Sequence, residues 1–280
     1  VQYVLNAGYA SILLLLVAAG LGIIFGLLGV INLAHGEFLM LGAYGALIAT
    51  DHLGSYWLAL LVAPLAVAAL AALIEVGLIR RLYRRPLETI VATWGLAIVI
   101  REAVRQIAGS DFRSVETPLP GSTHVLGTDF PRFRLVVMGL VVAILVALYL
   151  VQRLTRLGVV ARAVIANPDL AGALGVNVKL VYAVTFALGS ALAGLAGALI
   201  APSVNVFPDM GPPFVITAFL AVLVGGLGSL LGLVGAALVL GTVQTSVAEW
   251  TNPVAGGIAL LVLAVVVLRF LPDGLSRRAA

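Results

Sequence analysis

The chain has 280 residues, of which 62% are hydrophobic and only 10% charged, with a formal net charge of +4. Ordinary globular domains carry roughly 25% charged residues, so these side chains cannot clothe a water-exposed surface of this size. That excludes a soluble enzyme, a disordered chain and a nucleic-acid binder as readings of the whole, and leaves an integral membrane protein. The absence of cysteine removes disulfides and thiolate chemistry, and the three histidines, His35, His52 and His124, are too far apart to suggest a metal set.

A membrane-crossing helix needs about 20 mostly apolar residues. Residues 9–31 satisfy this; the apolar run 11–33 is too long for a signal-peptide core and is expected to be the first membrane helix. A second segment, 36–48, is shorter and starts around Leu33, and the intervening INLAHGE is expected to be a break close to the membrane surface. Residues 55–79 contain Pro64 and end just past Glu75. Residues 86–108 open on Pro86, where a missing amide donor costs little, and close on Arg101, Glu102 and Arg105. Further spans are expected at 134–151, 180–200 and 255–268, the last ending at Arg269 and Pro272. The stretch 214–247 would be about 50 Å long as one helix, against a hydrocarbon layer of roughly 30 Å. Gly225, Gly226 and Gly228 are the natural place for it to turn, giving two crossings or a re-entrant hairpin. The expected fold is all-α: one polytopic membrane domain over 1–280, with about eight or nine membrane-embedded helical segments including the glycine-broken pair.

Positive charge concentrates in short cytoplasmic loops. Arg80, Arg81, Arg84 and Arg85 form one basic cluster, and Arg153, Arg156, Arg162 and Lys179 another. The segments 109–131 and 201–213 are instead acidic, with Asp111, Glu116, Asp129 and Asp209. This alternation places the amino terminus outside and the basic carboxyl end, with Arg277 and Arg278, in the cytoplasm. It requires 214–247 to cross an even number of times.

Three groups of residues stand out. The loop 158–177, part of a cytoplasmic segment 153–179, is too polar to span and is patterned as two short helices. Asn167 caps the second, which has Pro168 at its first position and stops near Gly175. With Arg162, Ala163 and Asp169, it suits either a docking surface for a partner or a connector anchored to anionic lipid. Gly189, Ala193 and Gly197 recur every fourth residue, a spacing that lets helix backbones approach closely. Asn32, His35, Glu37, Glu75, Glu88, Thr93, Glu102 and Glu249 are polar at membrane depth or its edge, where such groups face a protein interior or a water path. For Glu88 and Glu102, pairing with neighbouring arginines at the interface is an equal alternative. Trp57 and Trp250 suit interfacial anchors. The single lysine, Lys179, is preceded by Gly-Val-Asn-Val, so the chain has no GxxxxGK[ST] phosphate loop. It also has no TVGYG-like filter and no arginine ladder of the voltage-sensing kind.

The combination resembles the permease subunit of bacterial ABC importers for branched-chain amino acids and their urea-transporting relatives. The resemblance is carried in order by GLLGVINLAHGEFLMLGAYGA, RRPLETIVATWGLAIVIREAVRQIAGSDFRSV, GVVARAVIANPDLAGALGVN, TFALGSALAGLAGALIAP, FLAVLVGGLGSLLGLVGAALVLG and a final Leu-Pro-Asp-Gly-Leu, covering nearly the whole chain. It implies a bacterial inner-membrane protein working with a second related permease subunit or a second copy. Two ATP-binding cassette subunits, which would hold ATP and magnesium, and a periplasmic substrate-binding protein complete the implied assembly. This chain itself would hold no cofactor or metal and bind membrane lipid but no nucleic acid. The resemblance also implies a coupling helix within 161–175 and a translocation path near Asn32, His35, Glu37, Glu88, Thr93 and Trp94. ATWGL at 92–96 looks somewhat like the urea branch. Two other classes remain: an ion-coupled secondary transporter, with Glu75 as its best coupling carboxylate, and a scaffold held together by small-residue seams.

Overall fold

The computed structural model describes residues 1–83, 85–125, 127–226, 228–271 and 274–275. Arg84, Pro272, Asp273, Arg277 and Arg278, invoked above, lie outside the described residues. The helices are α1 (Gln2–Leu28), α2 (His35–Leu53), α3 (Tyr56–Gly77) and α4 (Pro86–Ala108), then α5 (Arg132–Leu154), α6 (Arg156–Ala166), α7 (Pro168–Ala173) and α8 (Val178–Ile200). The series closes with α9 (Gly211–Gly225), α10 (Leu230–Trp250) and α11 (Pro253–Phe270). A short antiparallel hairpin, β1 (Ser122–Val125) and β2 (Thr128–Pro131), sits between α4 and α5 and pairs Ser122 with Pro131 and Val125 with Thr128. The sequence reading had no strand here, because four residues are too few to show a period-two pattern.

Among the described residues, seven helices are long and apolar enough to cross a membrane by length and composition. The long ones that fall short are α2 and α4, which carry charge: Glu37 and Asp51 in one, Glu88, Arg101, Glu102 and Arg105 in the other. With them the protein is a polytopic helical membrane protein with nine long helices among the described residues. Helix starts are written locally: Asn167, Asn177, Ser229 and Asn252 each accept a backbone N–H of the helix they precede.

Contacts sort the helix ends into two levels. At the first, the Tyr9 hydroxyl lies 3.0 Å from Ser203 Oγ, the Arg134 guanidinium sits over the Tyr9 ring, and Tyr56 donates to the Ala198 carbonyl at 2.9 Å. Asn6 donates to Glu249 at 2.7 Å, and Trp57 and Trp250 are exposed at this level. At the second level Gly26 faces Gly228, and Tyr83 packs on Tyr182. Helices α1, α3 and α5 therefore run from the first end to the second, and α4, α8 and α10 return.

Two helices do not start at either end. His35, the first residue of α2, hydrogen-bonds the Val17 carbonyl at 3.1 Å and its ring lies beside Gly20. Val17 is about 16 Å from the end of α1 at the 1.5 Å rise of a helix. The break around INLAHGE thus lies in the middle of the bundle, not close to the membrane surface as the sequence suggested. Gly29, left-handed at φ 65°, ends α1 and lets the chain fold back inward. Helix α9 begins against this same point: Gly36 and Gly211 face each other so closely that a Cβ on either would lie 2.5–2.6 Å from the other's carbonyl oxygen. From there α2 runs to the first end and α9 to the second, where the chain reverses through Gly226 and Gly228 at positive φ.

Helix α8 is the central post, packed on α1, α2 and α3. Gly189 lies against Gly20 of α1, Ala193 is fully buried, and Gly197 against the Leu39 carbonyl of α2. Gly42 of α2 meets the backbone of Gly194. Water is absent from a bilayer core, so apolar burial gives helices little reason to associate there, and close backbone packing supplies the cohesion instead. Gly42→Ala and Gly197→Ala should each lower thermal stability by about 1–3 kcal/mol through overpacking. Gly139 of α5 has open space around it. Gly139→Ala should be neutral or stabilising, and melting of the detergent-purified variants by intrinsic fluorescence checks the contrast.

Candidate functional site

The meeting point of α2 and α9 is polar. Asn32 Oδ1 accepts the Ala34 amide at 3.1 Å, folding the chain into the start of α2. The His35 ring bonds a carbonyl, which can only accept, so Nε2 carries the proton and Nδ1 of the neutral ring is a bare acceptor. From α4, Thr93 Oγ1 accepts the Leu33 amide at 3.2 Å and lies 3.4 Å from the Ile31 carbonyl. Asn32, His35, Glu37 and Thr93 are all fully or almost fully buried.

A chain of ion pairs extends from this point along α4. Arg101 Nη2 donates to Glu37 Oε1, and Arg101 Nε lies 3.7 Å from Asp209 Oδ1. Arg105 donates to both oxygens of Asp209, at 2.9 and 3.1 Å, and to Glu102 at 2.7 Å. The placement has an electrostatic reason. Two helix N-termini, each equivalent to about half a positive charge, converge at Gly36 and Gly211. Glu37 lies in the first turn of α2 and Asp209 just before α9, so both acids sit where that positive potential is highest. Arg101 then spans the two acids.

The cluster is not fully satisfied. Asn32 Nδ2, His35 Nδ1, Glu37 Oε2 and Arg101 Nε are buried without a hydrogen-bond partner. The ion pair at its heart therefore offers one spare acceptor and one spare donor. One turn from it lies an apolar cavity of about 380 Å³ between α2, α3 and α4, lined by Leu41, Tyr44, Val62, Leu70, Val104 and Ile107 and open on the side where Val62 and Ile107 are exposed. Leu41 is one turn past Glu37 and Val104 one turn past Arg101.

Two expected path residues lie elsewhere. Glu88 is exposed at the start of α4 and pairs with Arg85 at 3.1–3.3 Å, the interfacial arrangement held open for it. Trp94 is 60% exposed, because the residue after Thr93 is turned about 100° around the helix. Two members of the cluster were missed. Arg101 was legible, since Thr89, Thr93 and Ala97 recur every fourth residue on the buried face of α4 and Arg101 is next. Asp209 had no signal, because it precedes its helix and counted as a loop charge.

Glu75, the alternative coupling carboxylate, is fully buried and accepts Arg80 Nε at 3.2 Å, Arg80 Nη2 at 2.9 Å and the Tyr83 hydroxyl. Burial, then the bond to Glu75, raises the Tyr83 hydroxyl well above the ordinary tyrosine range, so it stays a donor. In the loop after α5, Asn167 Oδ1 accepts the Leu170 amide at 2.9 Å and Pro168 opens α7, with Asp169 in its first turn. The Ala163 carbonyl takes the Asn167 amide, and Gly175 closes the loop at φ 90°. Arg162 turns back to donate to the Gln152 carbonyl at 2.6 Å, fixing α6 to the end of α5. Leu170 and Leu174 stand exposed one turn apart. Among the seam glycines, Gly225 packs on the Leu233 backbone, and Gly226 and Gly228 form the turn.

Removing one member of a buried ion pair strands the other's charge, at a cost of about 3–5 kcal/mol, whereas replacing both with apolar groups is often neutral. Arg101→Met should therefore lower thermal stability by about 3 kcal/mol, and the double variant Glu37→Leu, Arg101→Met should recover most of it. A melting series of the purified variants measures this coupling.

The model of the family described as "Branched-chain amino acid transport system / permease component" matches residues 3–268. The high-affinity branched-chain amino acid transport system permease protein BraD of Pseudomonas aeruginosa is 28% identical, over 94% of this chain and 91% of its own. The corresponding LivH of Escherichia coli K12 is also 28% identical, over 94% and 91%. A probable LivH of Methanocaldococcus jannaschii is 26% identical, over 95% and 89%. In three dimensions a chain of PsaBC from Streptococcus pneumoniae, solved in complex with Fab, superposes with a TM-score of 0.52 at 18% identity, covering 96% of this chain and 91% of that one; this likeness shows the fold. A multi-pass helical bundle matched by that family's model over residues 3–268 belongs to the branched-chain amino acid transport system permease family.

Proposed function

We propose that this chain is the permease subunit of an ATP-driven importer and that its solute is a branched-chain amino acid. The observation that carries the reading is the half-satisfied Glu37–Arg101 pair beside an apolar cavity. A zwitterion needs an acceptor for its ammonium and a donor for its carboxylate, and Glu37 Oε2 and Arg101 Nε supply one of each. An aliphatic side chain then suits the Leu41–Val104 cavity one turn away. Urea has no use for that apolar wall, and Trp94, whose sequence context leans toward the urea branch, is turned away from the junction. The family's relatives BraD and LivH, named for branched-chain amino acids, support the same choice.

The end of the bundle carrying Arg80, Arg153 and Arg156 is assigned to the cytoplasm by the positive-inside rule. That puts the amino terminus outside, in the inner membrane of a bacterium. Helix α7, with exposed Leu170 and Leu174 beside Asp169, then becomes the docking point for an ATP-binding subunit that holds ATP and magnesium. A second permease chain completes the pathway, and a periplasmic binding protein delivers solute to the first end. The whole chain acts as one permease unit.

The test is reconstitution in proteoliposomes with the ATPase subunits, the second permease and the binding protein. Leucine uptake should require ATP and exceed urea uptake by at least about tenfold. Glu37→Gln should reduce leucine uptake by about ten- to a hundredfold, one buried charge-assisted hydrogen bond being worth about 1.5–3 kcal/mol, while Glu88→Gln leaves it unchanged. Leu170→Asp should release the ATPase subunit without affecting membrane insertion. Equal urea uptake would overturn the solute assignment. Leucine uptake without ATPase subunits would favour the secondary-transporter reading.

A further inference from the structure

The second end of the bundle holds a polar cluster that the α2–α9 junction does not use. Glu75, completely buried on α3, is engaged by Arg80 and Tyr83. The Tyr83 ring stands edge-on to Tyr182, with centroids 4.8 Å apart and planes at 66°. Tyr182 lies one turn into α8, and the start of that helix packs on α7, where Gly172 lies beside Val178. On the other side of the cluster, Thr89 of α4 donates to the Leu82 carbonyl at 2.9 Å, one residue from Tyr83. One turn further along α4, Thr93 holds the Leu33 amide and faces the Ile31 carbonyl at the break before α2. An unbroken line of contacts therefore joins α7 to the buried junction.

The alternative route is soft. Helix α6 roofs an apolar cavity of about 310 Å³ lined by Gly22, Val151, Leu157, Val184, Gly226 and Leu233. Displacement propagates through close-packed side chains and formed hydrogen bonds, and is absorbed where packing is missing. Movement of α6 toward the bundle closes empty space, whereas movement of α7 pulls on α8 and through it on Tyr83.

We propose that the Tyr182–Tyr83–Glu75–Arg80 contact is the relay that carries movement of α7 to the Leu33 break, with Tyr83 and Tyr182 as positioning residues. It rests on the reading of α6–α7 as the ATPase-docking loop. Tyr83 has two roles in it: its ring takes the push from α8, and its hydroxyl ties that ring to the end of α3. The carboxylate of Glu75 is the fixed point, because it has Arg80 and Tyr83 as partners and no room to leave them.

The test uses the complete transporter in proteoliposomes with leucine as solute. In Tyr182→Leu and in Tyr83→Phe the ATPase subunit should co-purify as in the unaltered protein, and ATP hydrolysis should stay within about twofold. Leucine moved per ATP should fall by about tenfold, the size of an ordinary coupling between sites. Tyr182→Phe keeps the ring and should restore it. Hydrogen exchange on the purified permease should show the Leu33 amide opening about tenfold faster in Tyr182→Leu, with α10 and α11 unchanged. Unchanged leucine per ATP, or an unchanged Leu33 amide, overturns the relay; if Tyr182→Leu fails to assemble, Tyr83→Phe, which removes one hydroxyl, decides. Failure of the docking reading shows separately, as an ATPase subunit that stays bound to Leu170→Asp.

Discussion

The fold depends on two helix N-termini meeting inside the bundle. Their positive ends lie against each other at Gly36 and Gly211, in a region with little water to screen them. Negative charge beside such a junction stabilises it, and Glu37 and Asp209 are so placed. The buried carboxylate of Glu37 in turn needs a cation, which is Arg101, and Arg101 Nε also lies 3.7 Å from the half-exposed Asp209. Arg101, with Arg105 on the same Asp209, ties α4 to the core, beside its buried residues Thr89, Thr93, Ala97 and Ile100. Charge pairing therefore joins the burial of Ile100 in setting the position of α4.

The same junction explains why glycine is so frequent. An interior start for α2 and α9 is possible only if their backbones come into contact, and a Cβ on Gly36 or Gly211 would collide with the opposing carbonyl. Helix α8 has to pass both α1 and α2 at similar range, and does so through Gly189 and Gly197. Close packing fixes the helices around a polar centre, and that centre can then keep atoms without a hydrogen-bond partner, such as Glu37 Oε2 and Arg101 Nε, without the surrounding chain collapsing onto them.

The spatial separation of the two polar clusters fits a transport subunit. Glu37, Arg101 and Asp209 lie where α2 and α9 begin, whereas Glu75, Arg80 and Tyr83 lie at the end that carries the patterned loop. Helix α4 touches both, through Thr89 at one level and Thr93 and Arg101 at the next. The α4 contacts thus connect the end of the bundle that carries the patterned loop with its buried junction.

Much of this was written in the chain. Its apolar content dictates a membrane bundle, the basic clusters order the loops, and Gly225, Gly226 and Gly228 mark the reversal between α9 and α10. Asn167 and Pro168 locate α7 to the residue, because capping is a local interaction between a side chain and amides three residues away. The depth of the INLAHGE break was not legible, since local sequence shows that a helix stops but not which neighbour lies beside the stop; only the contact of His35 with Val17 sets it. The same limit explains why Glu88 and Trp94 lie apart from the buried cluster and why Asp209 was not singled out. Whether a charged residue in a membrane helix pairs with its neighbour in sequence or with a partner a hundred residues away depends on how the helices pack. Only the tertiary structure decides that.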